Sequence, residues 1–169
     1  MGERLWLVGM MGAGKTTVGS DVASQTETAF WDTDRLIEDR AGMSVRELFE
    51  TIGVVAFRDL ERQAVEAAAT LPGVIATGGG VVLDADSRQT MRDSGVVIYL
   101  RANPSTLARR VDGSTTRPLL DDADPGEALA ELLRVRDPHY RASAHHVVAT
   151  NGKRRHRVVE EVIRLWTGT

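Results

Sequence analysis

The chain contains no cysteine, which excludes disulfides, thiolate metal sites and thiol nucleophiles. It also lacks a long apolar run. The stretch from Leu5 to Met11 falls far short of the roughly 20 residues that a membrane-spanning helix needs. The opening residues show no basic segment followed by a long apolar one, so a cytoplasmic chain is expected. Neither sign of charge dominates. With a formal net charge of −3 and a pI near 5.8 there is no global attraction for nucleic acid or an anionic membrane, and neither is expected as a partner. Fixed-period repeats and low-complexity tracts are absent, which sets aside solenoids and disordered tails.

What is present has the size and composition of one globular domain over residues 1–169, with 42% hydrophobic and 27% charged residues, enough to bury a core. Short apolar runs bounded by Gly, Asp or Asn alternate with longer amphipathic stretches, the pattern of buried parallel strands joined by crossover helices. The expected strands are Leu5–Val8, Ala29–Trp31, Val74–Ala76, Val96–Leu100 and His146–Ala149. Five such strands imply a doubly wound α/β sheet flanked by helices. Ser44 with Glu47, and Asp124 with Glu127, read as capping boxes, while Pro104 and Pro125 suit first helical positions. Helical spacing places Leu60, Ala64, Ala67, Ala68 and Leu71 on one core-facing stripe, and Val158, Val159, Val162, Ile163 and Trp166 on another. No long apolar face is left over, so a monomer is expected.

The strongest motif is Gly9-Met10-Met11-Gly12-Ala13-Gly14-Lys15-Thr16, a G-x-x-x-x-G-K-T phosphate loop between a strand and a helix. Glycines let successive N–H groups and the helix N-terminus converge on phosphate oxygens around Gly12, Ala13 and Gly14. Lys15 supplies charge to the β and γ groups, Thr16 offers a hydroxyl to Mg²⁺, and Thr17 is placed for a further phosphate contact. ATP and Mg²⁺ are therefore the expected cofactors. A loop of this kind serves kinases, hydrolysing ATPases and nucleotide-gated switches alike, so the acceptor site has to decide among them.

Asp32-Thr33-Asp34 follows the second strand, at the carboxyl end where open α/β sheets bind ligands. Asp32 is suited either to the Mg²⁺ shell or to accepting the acceptor hydroxyl's proton, and Asp34 to a substrate diol. The plainer alternative is that Asp32 ends a strand and Asp34 caps a helix. Thr77-Gly78-Gly79-Gly80 ends another apolar run and lets bare backbone approach a ligand. Arg58, Arg110, Arg117 and Arg136 lack obvious local acidic partners, although a solvated charged face is the ordinary fate of any one arginine. Between Val111 and Asp124 the chain turns polar around Arg117-Pro118-Leu119-Leu120, as a closing segment would.

In this order and spacing, over nearly the whole chain, the phosphate loop, Asp32-Thr33-Asp34, Phe57-Arg58 with Glu61, Gly78-Gly79-Gly80, Arg117-Pro118-Leu119-Leu120 and Arg136 resemble shikimate kinase. The resemblance implies a P-loop kinase fold like that of nucleoside monophosphate kinases, with a substrate-binding helical segment over about 34–61 and a lid over about 111–124. It implies transfer of a phosphoryl group from ATP to the 3-hydroxyl of shikimate, giving shikimate 3-phosphate and ADP on the way to chorismate and the aromatic amino acids. By the same resemblance Arg58 and Arg136 grip the shikimate carboxylate and Glu61 holds the Arg58 fork. Asp34 bonds substrate hydroxyls, Gly79 and Gly80 line the ring, and Phe49 and Phe57 wall the pocket. Arg117 meets the transferring phosphoryl and Arg110 lies over the adenine. Catalysis would then rest on Lys15, Asp32 and Arg117, with Thr16 and Asp32 toward the metal.

The sequence departs from that pattern in having Val54 where an acidic residue is common, and the basic run Lys153-Arg154-Arg155-His156-Arg157 where a proline commonly contributes to the adenine pocket. Such a run opening a terminal helix is expected to be a solvated turn rather than a nucleic-acid patch. Arg109 and Arg134 read as surface charges. His139, His145, His146 and His156 lack a chelating interval and read as structural, and Trp6 and Trp31 as core aromatics. Two rivals remain: a kinase for another sugar acid such as gluconate, and a regulatory module that binds nucleotide without catalysis.

Overall fold

In a computed structural model, which describes residues 4–111 and 124–168, five strands form one parallel sheet. They are β1 Arg4–Val8, β2 Phe30–Asp32, β3 Gly73–Ala76, β4 Val96–Arg101 and β5 His146–Ala149, in the order β2-β3-β1-β4-β5. Each lies within a residue of its expected position. The register runs Trp6 beside Ile75 on one side and Val97 on the other, with Ile98 beside His146 at the far edge. Leu5, Trp6, Leu7 and Val8 are all fully buried. Since successive strand residues point to opposite faces, β1 is covered on both, as a parallel sheet with helices on either side requires.

The helices are α1 Lys15–Gln25, α2 Thr33–Ala41, α3 Val45–Ala68, α4 Ala85–Ser94, α5 Pro104–Val111, α6 Pro125–Ser143 and α7 Arg155–Thr167, with a 3₁₀ turn at Val81–Leu83. α1 packs with α7, while α3, α4 and α6 form a separate contiguous set. The Ser44 box is complete: the Glu47 N–H donates to Ser44 Oγ at 3.2 Å and the Ser44 N–H to Glu47 Oε2 at 2.7 Å. At the start of α6 only the Asp124 half of the expected box forms, its carboxylate accepting from the Gly126 and Glu127 N–H groups.

The stripe expected on α3 is displaced. Val65 is fully buried, Ala67 faces solvent and Leu71 lies beyond the helix end, where its carbonyl accepts from Arg4 Nε at 2.8 Å. Gly53 (φ 77°, ψ 171°) kinks α3 ahead of this stretch. The buried positions after it, Phe57, Glu61, Ala64, Val65 and Ala68, keep helical spacing, but a charged residue, Glu61, holds one of them, so an apolar pattern that starts from Leu60 runs out of phase with the core. The α7 stripe is as expected, with Val158, Val159, Val162 and Trp166 buried. Trp6 is a core residue whose indole donates to Ser94 Oγ at 3.1 Å. Trp31 is only half-buried, because β2 is an edge strand, and donates to the Pro72 carbonyl at 2.9 Å. His145 is structural in a definite way: Nδ1 accepts the Val97 N–H at 3.0 Å, and burial holds its pKa below the ordinary imidazole value.

Strand order reverses around β1, whose neighbours are β3 and β4, so loops leaving the carboxyl ends of β1 and β3 diverge and leave a crevice between them. The phosphate loop and the glycine run stand at that crevice.

Candidate active site

The loop leaving β1 turns into α1 through Gly12 (φ 79°) and Gly14 (φ 96°), both in the left-handed region that a side chain disfavours. Its fold is held from inside: the Ala13 N–H donates to the Met10 carbonyl at 3.1 Å, and Lys15 Nζ donates to the carbonyls of Gly9 at 2.8 Å and Met10 at 3.0 Å. A cavity of about 520 Å³ opens on this loop, lined by Gly12 to Val18 together with Arg110, Thr150, Lys153, Arg155 and Val158. Arg110 is fixed across the cavity wall, donating to the Gly12 carbonyl at 3.2 Å and to Oγ1 and the carbonyl of Thr150 at 3.1 and 3.2 Å.

The basic run is therefore not simply a solvated turn. Lys153 and Arg155 reach the cavity while paired with Glu161 and Asp21 respectively, and Arg154 is the N-cap of α7. Arg134 is the surface charge expected, in an exposed bridge to Glu131. Arg109 donates to Thr106 Oγ1 and stands with Arg110 and Lys153 at a neighbouring surface hollow.

Asp32, rather than Asp34, is the helix cap. It ends β2 and caps α2, Oδ1 accepting the Asp34 N–H at 3.0 Å, while its other oxygen accepts from Thr16 Oγ1 at 2.9 Å. A hydroxyl and a carboxylate oxygen side by side, next to a phosphate loop, form an oxygen-only donor pair of the kind Mg²⁺ takes when phosphates and water complete its shell. The residues thus fit Mg-ATP.

A second cavity, of about 260 Å³, lies beside the first and shares Lys15 and Thr16 with it; its other walls include Asp32, Asp34, Glu38, Phe49, Phe57, Arg58, Glu61, Gly78, Gly79, Gly80 and Arg136. Phe49 and Phe57 meet with ring centroids 4.5 Å apart, and the Arg58 guanidinium lies 5.9 Å over Phe49. Arg58 pairs with buried Glu61, one helical turn on. Burial raises the Glu61 pKa above the ordinary value, with Arg58 and then Arg136 opposing. Arg136, 4% exposed, reaches the same cavity from α6.

Two of the three glycines are explained by what stands against them. A Cβ on Gly78 would fall 2.8 Å from both Asp34 Oδ1 and Glu61 Oε1, and one on Gly80 1.9 Å from Arg58 Nη1, whereas one on Gly79 would meet Arg136 Nη1 at 3.5 Å, an ordinary contact. Charged side chains from α2, α3 and α6 thus converge on bare backbone at the end of β3, and the Gly78 N–H is tied to Thr33 Oγ1 at 3.0 Å. Asp34 keeps an edge toward the open pocket, yet its carboxyl is enclosed by protein. Burial, then the nearby Asp32 and Glu61 charges, push its pKa from 3.8 up to about 7, against the pull of Lys15.

Sequence reasoning missed Glu38, Thr33, Thr150 and Tyr140 as neighbours of the site. Tyr140 was open to inference, since it follows the singled-out Arg136 by four residues and shares its helix face. Arg117 lies outside the described residues, as do residues 112–123 of the expected lid.

A nucleotide-sized cavity on a phosphate loop, joined through a lysine and a threonine to a smaller pocket with two arginines, defines a P-loop kinase acting on a small anionic acceptor. The family model for shikimate kinase matches residues 11–167, and the chain belongs to that family. It is 46% identical over 165 residues to a shikimate kinase of Caldanaerobacter subterraneus subsp. tengcongensis, with 97% of this chain and 96% of that protein covered. The shikimate kinase of Acinetobacter baumannii, solved in complex with shikimate, superimposes with a TM-score of 0.95 at 34% identity over 99% of this chain and 94% of that one. A gluconokinase of Sinorhizobium meliloti superimposes with a TM-score of 0.61 at 19% identity over 98% and 94% of the two chains, a likeness of fold alone.

Proposed function

We propose that this enzyme moves the γ-phosphoryl group of ATP to the 3-hydroxyl of shikimate, giving shikimate 3-phosphate and ADP in the route to chorismate and the aromatic amino acids. The observation that carries this reading is the wall common to the two cavities: Lys15 and Thr16 border both the nucleotide side and the carboxylate-binding side. A phosphoryl group lying against them can pass from one cavity to the other without leaving the protein.

Arg58 and Arg136 take the substrate carboxylate, a planar fork suiting that group better than an ammonium, and Glu61 sets the Arg58 fork. Gly79 and Gly80 lie along the ring, and Phe49 and Phe57 close its apolar edge. Asp34 faces the reacting hydroxyl. Its pKa of about 7 suits a proton acceptor, whereas Asp32 is engaged by Thr16 and the α2 cap, so the proton-accepting role belongs to Asp34. The hydroxyl oxygen forms its bond to phosphorus as the bond to the ADP oxygen breaks, and its proton passes to the Asp34 carboxylate. Lys15 turns from the Gly9 and Met10 carbonyls to the phosphates, and backbone N–H groups from Gly12 to Thr17 hold them. Thr16 and Asp32 would hold Mg²⁺, which supplies positive charge to the phosphate oxygens when bound. Arg110 borders the base side of the cavity, and Arg117 is assigned to the transferring phosphoryl.

The same proposal has the enzyme work as a cytoplasmic monomer on small molecules, without nucleic acid. The near-neutral charge supports this, and no described helix is long and apolar enough to cross a membrane.

The test is ADP release from Mg-ATP with shikimate, with gluconate and with neither, for the wild type and Arg58→Ala. Shikimate-dependent release that Arg58→Ala abolishes is expected. Dependence on gluconate would make the protein a sugar-acid kinase of the related type, and nucleotide binding without transfer would make it a regulatory module.

A further inference from the structure

Tyr140 touches the wall of the substrate cavity without lining the cavity itself. It is fully buried on α6, one turn after Arg136, and its ring stacks on Tyr99 with centroids 4.8 Å apart. Its hydroxyl donates to the carbonyl of Gly79, the central residue of the glycine run. The Arg136 guanidinium lies close enough for its charge to act on the same phenol.

The polarity of this contact is fixed by chemistry. A carbonyl can only accept, so the single phenol proton must point to Gly79. Burial raises the phenol's pKa, so the group stays neutral and remains a donor throughout the working range.

We propose that Tyr140 is a positioning residue that locks α6, the helix that carries Arg136, to the Gly79 backbone, so that the carboxylate-binding arginine and the glycine run under the substrate ring keep one mutual geometry. The inference rests on the proposed shikimate kinase reading. A pocket that must hold a carboxylate at one end and aim a hydroxyl at the other loses aim if these two walls move independently. Tyr140 is well placed to prevent this, since it belongs to the arginine-bearing helix, its hydroxyl is bonded to the glycine run and its ring is held by the stack on Tyr99. Each hydrogen bond it makes would otherwise leave a buried polar group unpaired.

The test uses the full chain with Tyr140→Phe, which keeps the ring and its stack and removes only the hydroxyl. Shikimate KM should rise about five- to tenfold, the size of one buried hydrogen bond, with the ATP KM moving by less than about twofold. The preference for shikimate over its carboxamide should fall by a similar factor. Tyr99→Phe, which removes a phenol from the same stack but touches neither Arg136 nor Gly79, should leave both KM values unchanged.

If Tyr140→Phe lowers thermal stability or kcat but leaves the shikimate KM and the carboxamide ratio unmoved, Tyr140 is a packing residue and the proposal fails. Should that variant not fold, wild-type enzyme carrying ¹³C at the ζ-carbon of its two tyrosines supplies the answer. Shikimate, but not the carboxamide, should shift the Tyr140 resonance and leave Tyr99 in place; equal or absent shifts overturn the proposal. A wild type that does not phosphorylate shikimate would instead sink the functional reading, which separates the two failures.

Discussion

The guanidinium of Arg58 occupies the space that a side chain on residue 80 would need: an added Cβ would fall 1.9 Å from Nη1 and 2.4 Å from Cζ. The obstruction is the far end of a flexible side chain rather than backbone, and this decides what a substitution does. Gly80→Ala should fold, push Arg58 out of line and raise the shikimate KM about tenfold or more, with a melting temperature close to wild type. Gly73→Ala is the contrast. There the new Cβ would lie 2.3 Å from the Ala29 carbonyl oxygen at a φ of 107°, so stability should fall and expression with it. Steady-state kinetics beside thermal melts check both; a strongly destabilised Gly80→Ala with normal KM would contradict this account.

Asp34 predicts a trade between stability and activity. As its pKa rises from 3.8 to about 7 on folding, the folded chain binds this proton more tightly than the unfolded chain does. Stability from this group is fully present below pH 4 and is lost as pH climbs through about 7, a loss on the order of 4 kcal/mol at higher pH. Asp34→Asn should therefore raise the melting temperature at pH 8, raise it much less at pH 5, and abolish phosphoryl transfer.

The wild-type pH profile follows from the same group. If ionised Asp34 accepts the hydroxyl proton, kcat/KM should fall about tenfold per pH unit below roughly 7. A profile flat from pH 8 to 5 would remove Asp34 from that role.

Asp32 caps α2 with one oxygen and meets Thr16 with the other. Asparagine caps a helix as well as aspartate does, so Asp32→Asn removes charge and little else. The Mg²⁺ concentration for half-maximal activity should rise about tenfold or more, with only a small change in melting temperature. An unchanged Mg²⁺ titration would place the metal elsewhere.

Ser44→Ala removes the hydroxyl that receives the Glu47 N–H and opens the α3 cap. Melting should fall by about 2–4 °C. Since Phe49 lies in the first turns of the same helix, a modest rise in shikimate KM should accompany it.

Much of this was legible in the sequence, and the exceptions have a common cause. Strands such as Val96–Arg101 are recognised locally, by apolar runs between turn residues, and the phosphate loop and the Ser44 box are likewise contained within a few positions. The purpose of three consecutive glycines was not legible beyond close approach, because Asp34, Arg136 and Arg58 reach them from three different helices. Val65 rather than Ala67 faces the core because the buried stripe runs through Glu61, a charged residue that an apolar pattern passes over. Arg155 reads as a solvated charge until α1 and α7 are packed together, which brings it to Asp21 and the nucleotide cavity.

The shared wall at Lys15 and Thr16 also bears on inhibitor design. Because one lysine and one threonine border both cavities, a single molecule joining a carboxylated ring to an adenosine through a short anionic bridge could occupy both at once, and its second half would bind at the high effective concentration a tether provides. Such a compound is predicted to compete with ATP and with shikimate alike, a double competition that a ligand confined to either cavity would not produce.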